Sequence, residues 1–552
     1  MTEGLRTLPG FIPTIRDGGL GAGLGLGGRC GFAGVSKDVT EGTFVSLKSA
    51  SDVRENLGRG PAVEQLLDLF EDGYDREDQT LTVQEVIYLE CDTTGDTTAT
   101  IDSTADGGNS GNATDAAGGT PWLDRIYNIK VTQGGEVGTA RYKICRNYDV
   151  VDLEHQVWSE ELKFVMTAEG PPMKSKIYLE APLESPDEGA YVEFTEDTTA
   201  TDFEEGDNWT ITTTPLIPSQ ASIETAITAL TQWRDAAGNG LGGTGDITLI
   251  GCDQEIAASG TNWEDIHQIA TDEWDNNIHP VQIIISVTEC DTTGTPEVYD
   301  IDNWVDGLVT ATETYRATTI PGSDLLNGAL VINGIYALRD LPNWLGGPQV
   351  RHQCGAVLGQ AIRSRWHWDV GWVEKFGFKG ATAVYPWNSK TDNMTVKPGE
   401  AALENRTAEL TNDGHVLVAF PRTGVGVKIV TSDFWAMADS QSDYFKAPYY
   451  RIVGGTHVVM RTWFQPLTRE PGVSSNDAAA IQAEIQGTIL KPRTVDPSKP
   501  GDPIEKPYNS AKVTVWAEAD VLVTEELDYA LLIEPTGSKR QLTGWAQLRP
   551  NV

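Results

Sequence analysis

Apolar and polar positions follow three different rhythms along the chain. Residues 30–36 form a short apolar segment flanked by glycine, and residues 43–47 read as a strand. Ser51 and Asp52 suit the cap of a short helix, and residues 62–70 repeat apolar positions at helical spacing, with Gly73 as the stop. Residues 83–89 then read as a buried strand, so the order is β-α-α-β. From Asp92 the rhythm is lost: residues 93–119 are almost entirely Thr, Asp, Gly, Ser and Ala, the composition of a loop or linker.

Short strand-like runs follow at 125–131, 140–145, 163–166, 176–179, 191–194 and 209–214. Even spacing and glycine-rich turns predict an inserted β-sandwich here. Helical spacing returns at 219–233 and alternates with apolar strands at 247–251 and 281–287, with further helices near 263–273 and 304–314. That alternation predicts an α/β layer with at least partly parallel strands. The last third carries strand patterns at 416–420, 426–430, 511–518, 527–534 and 541–548, with helical potential at 476–487 and a loop over 492–507.

The expected architecture is multidomain, α+β or α/β. The predicted units are an N-terminal arm (1–25), a first part of an α/β core (26–91), an inserted β-sandwich (92–215), a second core part (216–400), a β-rich C-terminal domain (401–537) and a C-terminal arm (538–552). In the first arm Leu5, Leu8, Phe11, Ile12 and Ile15 are scattered without helical period among Pro9, Pro13 and Gly18. In the last, Leu542 and Leu548 share one face of a strand while Thr543, Trp545 and Gln547 lie on the other, and Pro550 ends its pairing potential. These ten residues are the candidate subunit-interface positions.

Charge narrows the function. The 552 residues carry 80 acidic against 41 basic side chains, a formal net charge of −39, which disfavours a surface that neutralises phosphates. No apolar run reaches the length of a membrane span, and Met1–Arg6 lacks the order of a signal peptide, so no membrane insertion is expected. Six widely spaced cysteines without a C-x-x-C pair are expected as reduced, mostly buried thiols.

Catalytic signatures do not assemble. Two G-x-G-x-x-G matches, at Gly23 and Gly238, lack the strand-then-helix setting; no H-x-x-x-H pair, nucleophile elbow or P-loop occurs. Neither catalytic residues, nor a metal, nor a cofactor is expected. The echo of Glu90-Cys91-Asp92-Thr93-Thr94-Gly95 in Glu289-Cys290-Asp291-Thr292-Thr293-Gly294 reads as a recurrent strand-exit turn, with calcium binding as the alternative. Aromatic loops around Trp344, Trp366, Trp368, Trp372 and Trp387 read as interface or core packing.

Three groups of residues resemble the sheath proteins of contractile phage-type tails, in the myovirus-like branch with an inserted β domain. They are Arg16-Asp17-Gly18-Gly19-Leu20-Gly21 with Gly31-Phe32-Ala33-Gly34-Val35-Ser36 and Leu57-Gly58-Arg59-Gly60-Pro61; Gly134-Gly135-Glu136-Val137-Gly138 with Phe203-Glu204-Glu205-Gly206-Asp207-Asn208-Trp209; and Tyr449-Tyr450-Arg451-Ile452-Val453 with Val513-Thr514-Val515-Trp516-Ala517. The resemblance implies a non-enzymatic subunit of a bacteriophage tail that forms hexameric rings stacked into a helical sheath. It implies partners in itself, the tail tube protein, and the baseplate and tail terminator proteins, and a place in the virion tail after assembly in the host cytoplasm. The long tract after Cys91 departs from that pattern. The alternative is a virion-surface or secreted β-rich module that binds a glycan or receptor.

Overall fold

The computed structural model describes residues 29–71, 83, 85–93, 99–105, 114–146, 156–168, 173–180, 189–196, 202–233, 247–277, 279–290, 292–293, 298–299, 301–317, 328–339, 349–364, 381–385, 401–422, 428–432, 434–438, 446–464, 475–496, 498, 506–517 and 527–536. Both terminal arms, the strand expected at 541–548 and the aromatic loops around Trp344, Trp366, Trp368, Trp372 and Trp387 lie outside these residues.

The apolar segment after Arg29 is strand β1 (Arg29–Gly34), followed by β2 (Phe44–Leu47), α1 (Ala50–Leu57), α2 (Pro61–Glu71) and β3 (Glu85–Glu90). β1 and β3 are parallel, and β2 runs antiparallel along β3 as an edge. The cap of α1 is Ser49, not the expected Ser51 and Asp52: Asp52 N donates to Ser49 Oγ, and the Asp52 carboxylate reaches back to Lys48 N at 2.8 Å. This reciprocal arrangement satisfies two backbone donors at once, which is why the helix begins two residues earlier than a Ser51 cap would place it.

The described residues of 100–214 form nine strands: β4 (Thr100–Ala105), β5 (Thr114–Gly118), β6 (Arg125–Gln133), β7 (Arg141–Cys145), β8 (Leu162–Lys163), β9 (Met166–Ala168), β10 (Lys174–Tyr178), β11 (Tyr191–Thr195) and β12 (Asn208–Thr214). They form two antiparallel sheets, ordered β4-β12-β6-β7-β8 and β5-β11-β10-β9. A single buried cluster containing Ile129, Ile144, Phe164, Val192, Phe194 and Trp209 draws on both. β4 and β5 correct the expectation of a linker across 93–119. Each is the edge of its sheet and is held by main-chain pairing to β12 or β11, with no apolar alternation for a sequence reading to detect. The run expected as one strand at 163–166 is two, because Phe164 turns into the shared core as the chain crosses between sheets.

The first sheet is then completed. Helix α3 (Gln220–Thr231), capped by Ser219, leads to β13 (Leu249–Glu255), α4 (Gly260–Asn277), β14 (Gln282–Ser286), the small hairpin β15 (Thr292–Thr293) and β16 (Val298–Tyr299), α5 (Ile301–Ala317) and β17 (Leu330–Asn333). Next come β18 (Tyr336–Arg339), β19 (Gln349–His352), α6 (Cys354–Arg363), β20 (Ala381–Tyr385), α7 (Ala401–Asn412) and β21 (Val416–Leu417). The resulting sheet runs β2-β3-β1-β13-β14-β17-β21, parallel apart from β2. Its parallel strands are almost wholly buried, as parallel strands between helices must be, whereas the antiparallel edge β2 is largely exposed. One face packs on a cluster that includes Val53, Leu66 and Leu358 from α1, α2 and α6; the other packs on Ile227, Trp263 and Leu308 from α3, α4 and α5. Gly355 and Gly359 let α6 lie directly on α2, where a Cβ at either position would overlap the carbonyl of Gln65 or Leu69.

The remaining elements are the hairpin β22 (Ala419–Arg422) and β23 (Lys428–Thr431), helices α8 (Ala447–Phe464) and α9 (Ser475–Glu484), the latter continuing as a π-helical turn (Ile485–Leu490), and the antiparallel pair β24 (Tyr508–Ala517) and β25 (Leu527–Pro535). Ile452, Ile485, Leu490, Tyr508, Val513 and Val515 form their own apolar cluster.

Candidate assembly interface

A two-stranded ribbon has two free edges, and each exposes a row of unpaired backbone groups. In β24 that row is answered from within the chain. Val513 N donates to Gln486 Oε1 (3.2 Å), Gln486 Nε2 donates to the Ala511 carbonyl (2.9 Å), and Val515 N donates to Gln482 Oε1 (3.0 Å). Gln482 and Gln486 are four residues apart and share a helix face, so the pair stands in for a third strand. Farther along, Val495 N donates to the Tyr508 carbonyl (2.8 Å). The outer edge of β25 has no strand beside it among the described residues, and Leu532 on that strand is 73% exposed. Among the described residues, β25 is thus the edge with no strand or side-chain guard beside it.

The sequence-predicted interface residues, Leu5, Leu8, Phe11, Ile12, Ile15, Leu542, Thr543, Trp545, Gln547 and Leu548, all lie outside the described residues. What the structure does place is their points of departure: β1 starts at Arg29 and β25 ends at Pro535. The two glutamines were not singled out by sequence, because a Gln at i and i+4 on a helix carries no mark of the strand it will meet.

A second polar assembly ties the two-sheet unit to the core. Glu64, on α2, ion-pairs with Arg125 at the start of β6, and Arg351 on β19 grips Asp68 with one nitrogen at 2.7 Å from both carboxylate oxygens. All four side chains are buried. Glu180 accepts from Trp122 N (2.6 Å) and Leu123 N (3.0 Å), with Arg59 3.8 Å away; burial pushes its carboxyl up.

The third lies at the carboxyl edge of β1, β3 and β13, where α/β sheets commonly bind ligands. Here the edge is closed by its own side chains. Asp253 accepts from Val35 N (2.7 Å) and Gln254 Nε2 (2.9 Å), and Glu90 accepts from Ser36 N (2.8 Å) and Ser36 Oγ (2.6 Å). His352 Nε2 lies 2.8 Å from the Asp253 carbonyl; burial lowers its pKa to about 4, so the ring is neutral and donates. Among the described residues no group of three or more His, Cys, Asp or Glu could hold a metal ion, and all six cysteines are buried and unbridged.

Burial raises Asp253 and Glu90 each to about 7. In the unfolded chain both ionise near 4, so between about pH 4 and 7 the folded state binds more protons than the unfolded. Stability contributed by these carboxyls is thus present in acid and is lost as pH rises towards 7. Denaturant midpoints compared at about pH 5 and pH 7.5 should show Asp253→Asn with a smaller loss than the parent chain. An identical pH dependence in the two proteins would contradict this assignment.

No family model and no curated protein matches the chain. Solved structures do. A sheath tail protein from Listeria innocua aligns at 11% identity over 92% of this chain and 95% of its own, with a TM-score of 0.40. The sheath complex of the PVC extracellular contractile injection system, in its contracted state, aligns at 11% identity over 61% of this chain and 76% of its own, with a TM-score of 0.35. A chain of the contracted anti-feeding prophage baseplate aligns at 9% identity over 98% of this chain and 97% of its own, with a TM-score of 0.46.

Proposed function

We propose that this chain is the structural subunit of a contractile sheath, polymerising helically around a tail tube and contracting to drive the tube through a host envelope. The observation that carries the reading is where the family-like segments fall. Gly31 to Gly34 lie in the interior strand β1; the two insertion segments meet through paired hydrogen bonds between Gly135 and Phe203 (2.9 and 3.1 Å). Ile452 shares an apolar cluster with Val513 and Val515. Segments up to about 70 residues apart, chosen only for their likeness to sheath sequences, are thus spatial partners.

On this reading the two antiparallel sheets of residues 100–214 are an inserted β-sandwich between two parts of one α/β core, within units at 1–25, 26–91, 92–215, 216–400, 401–537 and 538–552. Leu5, Leu8, Phe11, Ile12 and Ile15 of one arm and Leu542, Thr543, Trp545, Gln547 and Leu548 of the other join neighbouring subunits by strand addition. Head-to-tail contacts of this kind do not close and so generate stacked rings and helices. The extended sheath is a kinetically trapped packing, and contraction is a rigid-body change to a second one. The tube, baseplate and terminator proteins are the partners; the chain performs no catalysis and works in the virion tail after assembly in the host cytoplasm.

Sedimentation velocity over a range of concentrations tests self-association. Sedimentation coefficients should climb to ring-sized and larger species, whereas a single monomer boundary in every salt would favour the rival binding module.

A further inference from the structure

The outer face of the five-stranded sheet is unusual for so acidic a chain. Lys130 on β6 lies directly opposite Lys143 on β7, and Arg141 on β7 directly opposite Lys163 on β8. Lys130, Arg141 and Lys163 are exposed and Lys143 is half-buried. Like charges directly opposite one another across strands cost stability, and two such pairs fall on three adjacent strands. Glu161 is the acid among them, 3.0 Å from Arg141 and accepting from Thr132 at 2.8 Å; those two hydrogen bonds hold its carboxyl below the usual range. Exposed Ile126 adds an apolar element on β6.

The opposite charge is concentrated elsewhere. On the neighbouring core helices α4 and α5, Asp265, Asp272, Asp302, Asp306 and Glu313 are exposed, with Arg406 bridging Asp302 (2.8 Å) and Asp306 (2.9 Å). Two copies each carrying −39 repel wherever their surfaces meet at random. A contact between copies therefore needs a local pair of complementary patches, and these two are the complement in hand.

We propose that the β6–β7–β8 face of one subunit docks on the α4–α5 face of a second copy. The inference rests on the assembly reading and gives the inserted unit a part in it. The two patches differ, so the contact is head-to-tail and repeats without closing. The cations carry no interleaved exposed aromatic side chain on these strands to stack bases, which favours a protein partner over a nucleic acid.

The test is a charge swap in the full-length chain, read by pelleting at low salt, with melting temperature as the check on folding. K130E/K143E should raise the concentration needed for assembly about tenfold, as should D265K/D272K, and combining all four changes should restore it to within about threefold of the parent. K163E is the second variant on the basic face should K130E/K143E not fold. Unchanged assembly by the folded basic-face variant, or failure of the combination to rescue, overturns the proposal. Loss of binding to a soluble polyanion such as heparin with assembly intact also overturns it and assigns the face to a non-protein polyanion. A parent chain that never assembles defeats the sheath reading itself, an outcome distinct from assembly that ignores these charges.

Discussion

Removing residues 538–552 is expected to leave a folded, soluble subunit that no longer forms long tubes. The strand pattern of 541–548 offers only Leu542, Ala546 and Leu548 as apolar side chains on one face, too few to stabilise a domain. Its backbone groups are the valuable part. The edge of β24 is already answered by Gln482 and Gln486, so a strand added to this ribbon must add to β25, beside exposed Leu532. The four apolar groups Val513, Val515, Leu531 and Ile533 already pack the ribbon against its own cluster without residues 538–552. Circular dichroism should match the parent, while electron microscopy should show rings or short stacks. Normal tubes would refute arm exchange, and an unfolded subunit would place the strand in its own core. Deleting residues 1–25 should produce a similar defect if both arms serve one intersubunit sheet.

Glu64→Gln is expected to be the most damaging single polar substitution. Glu64 stands between Arg125 and Arg351, with its Oε2 3.9 Å from Arg351 Nε, while Arg351 retains Asp68. The amide keeps the shape but removes the charge that Arg125 ion-pairs with, while Arg125 Nη1 still donates to the Asp124 carbonyl at 2.7 Å. Breaking a buried pair from one side costs about 3–5 kcal/mol, most of it the price of an uncompensated ion. Denaturant titration should show a loss of that size, and proteolysis should open the chain first at the root of the two-sheet unit. Replacing both partners, as in Glu64→Leu with Arg125→Met, should recover much of the loss. A change below about 1 kcal/mol for Glu64→Gln would mean that water reaches this junction.

The legible parts of the fold were those with a strong period. α3, α4 and α5 and strands β13 and β14 alternate apolar runs with amphipathic spacing, and the interrupted-then-resumed α/β order follows from them. α6 does carry a helical period, in Cys354, Val357, Leu358, Ala361 and Ile362, but Gly355 and Gly359 on its other side lower its helical propensity, and close packing on α2 overrides that. α8 hid for a related reason: Gly454 and Gly455 and the β-branched Val458 and Val459 depress its helical propensity, and packing of Tyr450 and Ile452 overrides it. β4 and β5 are threonine- and alanine-bearing edges defined by their partners alone. The candidate interface was legible as two arms, but the surface they would meet was not, since Gln482 and Gln486 become an edge guard only once α9 lies against β24.

Electron microscopy of the purified full-length chain at high concentration shows directly whether it assembles into a sheath. Hollow tubes or stacked rings with a lumen wide enough for a separate tube, formed without any added partner, are the expected result. Monodisperse single subunits at every concentration and salt would contradict it.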